Sequence, residues 1–159
     1  MTQAEISKWL KAVTISLALM GIIFFGIAIP ILANISRDVY PTLAFLYYPG
    51  LIYSLALAIP CYMILFQFWK VCKQISQNNS FSKENAVSFV KISHYAMFLT
   101  IEWFIGLLFL VISGWIKTGA LMILIFGIFM SLIVTVVAAA LSHLIQKAYE
   151  LRIENELTI

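Results

Sequence analysis

Charge is what this sequence has least of. Of 159 residues, 10 are Lys or Arg and 7 are Asp or Glu, a charged share of 11%, where a soluble domain carries about a quarter. So little charge cannot clothe a water-facing globule. It also leaves no basic patch dense enough to hold a polyanion, which excludes direct nucleic-acid binding. Cysteine is nearly missing. Cys61 and Cys72 fall on one expected helix, eleven residues apart. That spacing separates their backbones by roughly 16 Å, beyond the about 7 Å reach of a disulfide. Also missing are a phosphate-cradling glycine loop, an HExxH zinc motif and a GxSxG nucleophile turn. No paired carboxylates fall in a segment that could form a pocket. The chain therefore reads as non-enzymatic, with no catalytic residue, no cofactor and no metal.

What the chain has is hydrophobic residues, 63% of the total, and a mean hydropathy of +1.01. Four apolar runs are long enough to cross a hydrocarbon layer of about 30 Å as helices, which satisfy their own backbone. They cover about 12–33, 43–68, 92–112 and 119–144. The first run follows Lys8 and Lys11 and resembles a signal peptide. It is longer than the roughly 7–15 apolar residues of one and lacks a cleavage site, so it reads as a retained span. The fold class is all-α, an integral membrane four-helix bundle in a single domain over 1–159. A polar loop covers 69–91 and an amphipathic tail 145–159.

The few charges orient it. Lys8, Lys11, Lys70, Lys73, Lys83, Lys91, Lys147 and Arg152 share the side of the termini, and only Arg37 and Lys117 fall on the other. By the positive-inside rule both termini are cytoplasmic, and the last helix extends into the cytoplasm. Trp9, Trp69 and Tyr149 at inner boundaries, with Tyr40 and Trp115 at outer ones, fit interfacial anchors.

Span two contains Pro49, Gly50 and Pro60, which predict a kinked helix. Such a kink serves packing, or it breaks a helix at a transport site. Ala28-Ile29-Pro30 and Ala58-Ile59-Pro60 recur at different depths and read as coincidence. In span four, Gly127, Ser131, Thr135 and Ala139 form a small-xxx-small stripe. It suits close packing inside the bundle, with a homo-oligomer face as the alternative.

In the polar loop, Asn78-Asn79-Ser80 signals a turn, Ser82 suits an N-cap and Glu84 the first turn of a helix. Ala86, Val87 and Val90 would then run along the membrane surface or straight into span three. Leu141, Leu144, Ile145, Ala148 and Leu151 recur at helical spacing, so span four should continue past the membrane. Glu150, Arg152, Glu154, Asn155 and Glu156 are the candidate partner-binding residues of that tail. Lys73, Lys83 and Lys91 are the candidate loop contacts, and the tail either docks on them or meets a soluble partner.

Glu102 is the one ionisable residue deep in a span, and an intramembrane carboxyl is a candidate functional group. It could carry a proton, bind a cation or hydrogen-bond across the bundle, with Tyr53, Ser54 and Ser131 at similar depth. A neutral, hydrogen-bonded structural role is the competing reading. Cys72, His94 and His143 near the inner span ends have zinc-binding donors but no ligand motif.

Several segments together resemble one family. They are Tyr48-Pro49-Gly50, Ala58-Ile59-Pro60, Asn79-Ser80-Phe81-Ser82 with Asn85, and above all the ending Ala148 to Ile159 with its Arg152-Ile153-Glu154-Asn155-Glu156-Leu157-Thr158-Ile159 close. The chain resembles the bacterial domain of unknown function 2975 family, with Glu156 where Asp is usual and a short third connection. The resemblance implies a four-span protein of the bacterial cytoplasmic membrane and a helix-turn-helix regulator as companion. It implies no ligand residues. The reading that follows is a protein acting by binding, through a cytoplasmic regulator or another membrane protein, with the lipid bilayer as its medium. The alternative is a small proton-coupled carrier using Glu102 and the kinked second span.

Overall fold

The computed structural model describes the backbone of residues 3–114 and 118–157, and side chains as far as residue 155. Trp115 and Lys117 lie outside the described residues, as do Thr158, Ile159 and the side chain of Glu156. Everything described is helix or short turn. Helix α1 (Gln3–Ile23) passes through a π turn (Phe24–Ala28) into α2 (Ile29–Val39), and the three form one rod. A 3-10 segment (Pro41–Leu46) leads into α3 (Tyr47–Ser76). Then come α4 (Lys83–Ile112) and α5 (Thr118–Leu157). The four rods are each long and apolar enough to cross a membrane. Buried residues make up at most 22% of the apolar window in any of them. Exposed side chains such as Ile22, Ile52, Phe104 and Ile123 would be an aggregation surface in water; in a bilayer they face lipid.

The connections are shorter than the sequence predicts, because helices continue into polar residues at both membrane faces. Residues 34–39, outside the expected spans, are helical, and the helix ends at Tyr40 (φ −126°, ψ 76°). The expected loop over 69–91 shrinks to 77–82. At its start α3 closes with the Asn78 N–H on Ile75 O (3.2 Å) and the Asn79 N–H on Gln74 O (3.1 Å). Asn78 sits at φ 56°, a left-handed cap that asparagine tolerates. At its end Ser82 Oγ accepts from the Asn85 N–H (3.2 Å) as the N-cap of α4. The helix after Ser82 therefore runs straight into the third span.

Proline acts differently in α2 and α3. In α3, Pro49 occupies the first turn, where a missing N–H is harmless, and the helix continues through Pro60. Ahead of Pro30 the helix widens instead, and the Ile29 N–H reaches Phe24 O, five residues back. A proline ring crowds the carbonyl four residues earlier, here that of Gly26, and a π turn gives it room.

The rods pack in chain order: α1 on α3, α3 on α4 and α4 on α5. Among the described residues no packing joins α1 to α4 or α5, or α3 to α5. The four-helix assembly is thus an open row, and the helix pairs meet through small and hydroxylated side chains. On α1 and α3, Ser7 Oγ donates to Cys72 O (2.7 Å) and Tyr62 Oη to Ala18 O (2.9 Å). On α4 and α5, the hydroxyls of Thr100 and Ser131 lie 2.8 Å apart, and Ser93 Oγ donates to Thr135 O (3.0 Å). Trp103 lies flat over Gly127, where a Cβ would stand 2.5 Å from the ring.

The small-residue stripe of span four therefore packs within the chain, with one correction. Ala139 is exposed and Ala138, at 3% exposure, takes its place. Each four-residue step overshoots a 3.6-residue turn by about 40°, so three steps leave the seam and a three-residue step regains it.

Candidate functional sites

Two regions hold the residues singled out by sequence. The first is around Glu102, near the middle of α4. One of its carboxylate oxygens is buried and has no hydrogen-bond partner among the described residues. Of the three expected partners only Tyr53 reaches this residue, and it does so through the backbone: Tyr53 Oη donates to Glu102 O (2.8 Å). Ser54 bonds its own helix at Gly50 O (2.8 Å), and Ser131 is engaged by Thr100. The carboxyl lies close enough to Tyr53 and Cys61 of α3 to act on both electrostatically.

One turn further along α4, away from the termini, a cleft of about 570 Å³ opens. It occupies the gap that the row leaves between α3 and α5, with α4 as its back. Pro49, Gly50 and Tyr53 line one side, Gly106 and Phe109 the back, and Ile123 and Leu124 the other side. The sequence marks it only by Pro49-Gly50, because its walls come from three helices whose order in space no local pattern encodes.

The second region is the face that carries the termini. Asn85 is 1% exposed and its side-chain amide donates to Ser80 O (2.8 Å) and Asn79 O (3.4 Å). This clamp fixes the 77–82 turn, and Ser80 Oγ reaches Gln3 Oε1 of α1 (3.4 Å). Phe81 stands on the turn 57% exposed. Sequence reasoning placed Asn85 in a family motif without its role, since two carbonyls five and six residues away become visible only once the turn is built.

Lys73, Lys83 and Lys91 are exposed on α3 and α4, and Glu150, Arg152, Glu154 and Asn155 are exposed on α5. They are not brought together. The cross-bonds of α4 and α5 set Lys83 level with about residue 146, so the last ten or so residues of α5 overhang by roughly 15 Å. Among the described residues α5 packs on α4 and not on α3, the helix of Lys73. Within the tail, Gln146 Nε2 bonds Glu150 Oε1 (3.1 Å). Cys72, His94 and His143 form no cluster; among the described residues no three His, Cys, Asp or Glu side chains could hold a metal ion.

An all-helical chain with four spans, packed through hydroxyl and glycine contacts and covered with apolar side chains, defines a multi-pass membrane protein. The family model described as "Protein of unknown function (DUF2975)" matches residues 31–159, and the chain belongs to that family. It is similar to the "Uncharacterized membrane protein YoaS" of Bacillus subtilis (strain 168). That relative is 31% identical over 150 residues, covering 91% of this chain and 94% of its own length. No solved structure matches the chain.

Proposed function

We propose that this protein acts by binding rather than catalysis, as a bacterial cytoplasmic-membrane protein that engages a cytoplasmic partner through the overhanging end of α5. The observation that carries this reading is the overhang itself. A helix with exposed Leu151 and Ile153 beside exposed Glu150 and Arg152 continues past the end of its packing partner. The positive-inside rule puts this face in the cytoplasm. The Asn85-clamped turn lies at the same end of the rods and carries the exposed Phe81. A helix-turn-helix regulator, expected from the family resemblance, is the partner class; a second membrane protein is the other. Tagged full-length protein and a version ending at Lys147 are purified in mild detergent. A protein that copurifies with the first and not the second supports the reading. Partners retained by both, or by neither, refute the role of the tail.

A second reading, a small proton-coupled carrier, is supported by the unpartnered oxygen of Glu102. It requires proteoliposome flux that is lost in Glu102→Gln.

A further inference from the structure

Glu102 presents a need that the described residues do not meet. One carboxylate oxygen is buried and unbonded, and residues 43–68, 95–112 and 118–142 contain no Lys, Arg or His. An ionised carboxyl surrounded by hydrocarbon needs a counter-charge. A space that could bring one opens one turn away: the cleft between α3, α4 and α5, whose lining includes Tyr53 and Gly106 but not Glu102 itself. Tyr53 lines its inner end and bonds Glu102 O, and Gly106, one turn from Glu102, lines its back. At about 570 Å³ the cleft has the size of a small-molecule site. Its walls are almost wholly apolar, and Gly50 leaves one of them open: a Cβ there meets nothing within 4 Å.

We propose that this cleft binds an amphiphilic organic cation, with its apolar body between α3 and α5 and its positive centre drawn toward the Glu102 carboxylate past the Tyr53 ring. The walls and the carboxyl each exclude something. A hydrated metal ion needs several oxygen ligands, which this lining does not offer. A lipid tail satisfies the walls and leaves the carboxylate unanswered. An aromatic ring beside the path of a cation adds attraction from its π face. The inference rests on Glu102 and the cleft alone. It holds or fails independently of the cytoplasmic docking proposed above and does not require transport.

The test uses the full-length protein in dodecyl maltoside, so that a neutral alkyl amphiphile is already present in large excess. Radiolabelled tetraphenylphosphonium is the probe, followed by scintillation proximity. The expected result is saturable binding at one site per chain, displaced by dodecyltrimethylammonium. Affinity falls about tenfold or more in Glu102→Gln, as befits loss of a poorly solvated charge pair, and is largely kept in Glu102→Asp. Gly50→Leu extends a side chain into the cleft from a position where a Cβ meets nothing within 4 Å, and weakens binding severalfold without lowering the melting temperature. Equal binding by wild type and Glu102→Gln reduces the cleft to a lipid groove and overturns the proposal. No saturable binding by wild type overturns it as well. If Glu102→Gln fails to fold, Gly50→Leu still decides, since unchanged affinity in that variant removes the cleft from the site.

Discussion

Gly127 tests the close approach of α4 and α5 more directly than any other position. A Cβ built there would lie 2.5 Å, 2.6 Å and 2.9 Å from the Trp103 ring atoms Cδ2, Cε2 and Cε3. These are atoms in the body of the indole, so no flexible end can swing aside; the ring must move by almost 1 Å to reach ordinary contact. Overpacking of this kind costs about 1–3 kcal/mol. Against it stands the gain of about 1 kcal/mol when alanine replaces glycine in a helix. A single variant therefore gives an ambiguous sign, and a pair does not. Gly50, in the first turn of α3, would meet nothing within 4 Å, so Gly50→Ala collects the helix gain alone. The helix term largely cancels in the comparison. Gly127→Ala should be less stable than Gly50→Ala by about 1–3 kcal/mol, the overpacking cost. Reversible unfolding of the purified protein in mixed micelles, with rising dodecyl sulfate, measures the difference. Equal stabilities would refute the packing of Trp103 on Gly127. Adding Trp103→Leu, which vacates the space, should restore most of the loss, and a double-mutant cycle reads that coupling.

Three further outcomes follow from the hydrogen bonds. Ser82→Ala removes the N-cap of α4 and should destabilise by about 0.5–2 kcal/mol, with Ser82→Asp close to wild type; the same unfolding assay checks both. Asn85→Ala leaves Ser80 O and Asn79 O without their buried donor, at a cost of about 1–3 kcal/mol, and should speed amide exchange locally over residues 78–86. Ser131→Ala should cost only about 0.6 kcal/mol, the mean for interhelical hydrogen bonds in membranes, because the Thr100 hydroxyl keeps Ala96 O as an acceptor at 2.9 Å. A loss above about 2 kcal/mol would show that the Thr100–Ser131 contact holds more of the α4–α5 seam than a single bond of this class.

Much of this molecule was legible before any coordinates, for identifiable reasons. Span composition and length are sums over residues, so the four rods could be read directly. The start of α4 was legible because an N-cap is local: Ser82 with Glu84 two residues on is a complete signal. The seam of span four was half legible. Gly127, Ser131 and Thr135 follow a simple four-residue rule, and Ala138 replaces Ala139 because a real helix turns slightly faster than that rule. The orphaned oxygen of Glu102 was not legible, since Tyr53, Ser54 and Ser131 are equally plausible partners until the rotation of each helix is fixed. The π turn was not legible, since no local pattern separates a proline that a helix meets by widening, as at Pro30, from one through which it continues, as at Pro60.

The open row also shapes how the chain can assemble. Among the described residues every contact between rods joins neighbours in sequence, so each span after the first finds its partner already in place. As each rod enters the bilayer its docking surface is already there: α3 finds α1, α4 finds α3, and α5 closes on α4 last. Contacts made only between successive rods favour stepwise assembly in chain order. Chains truncated after Ile112 should accordingly insert with the α1–α3–α4 hydrogen bonds already made.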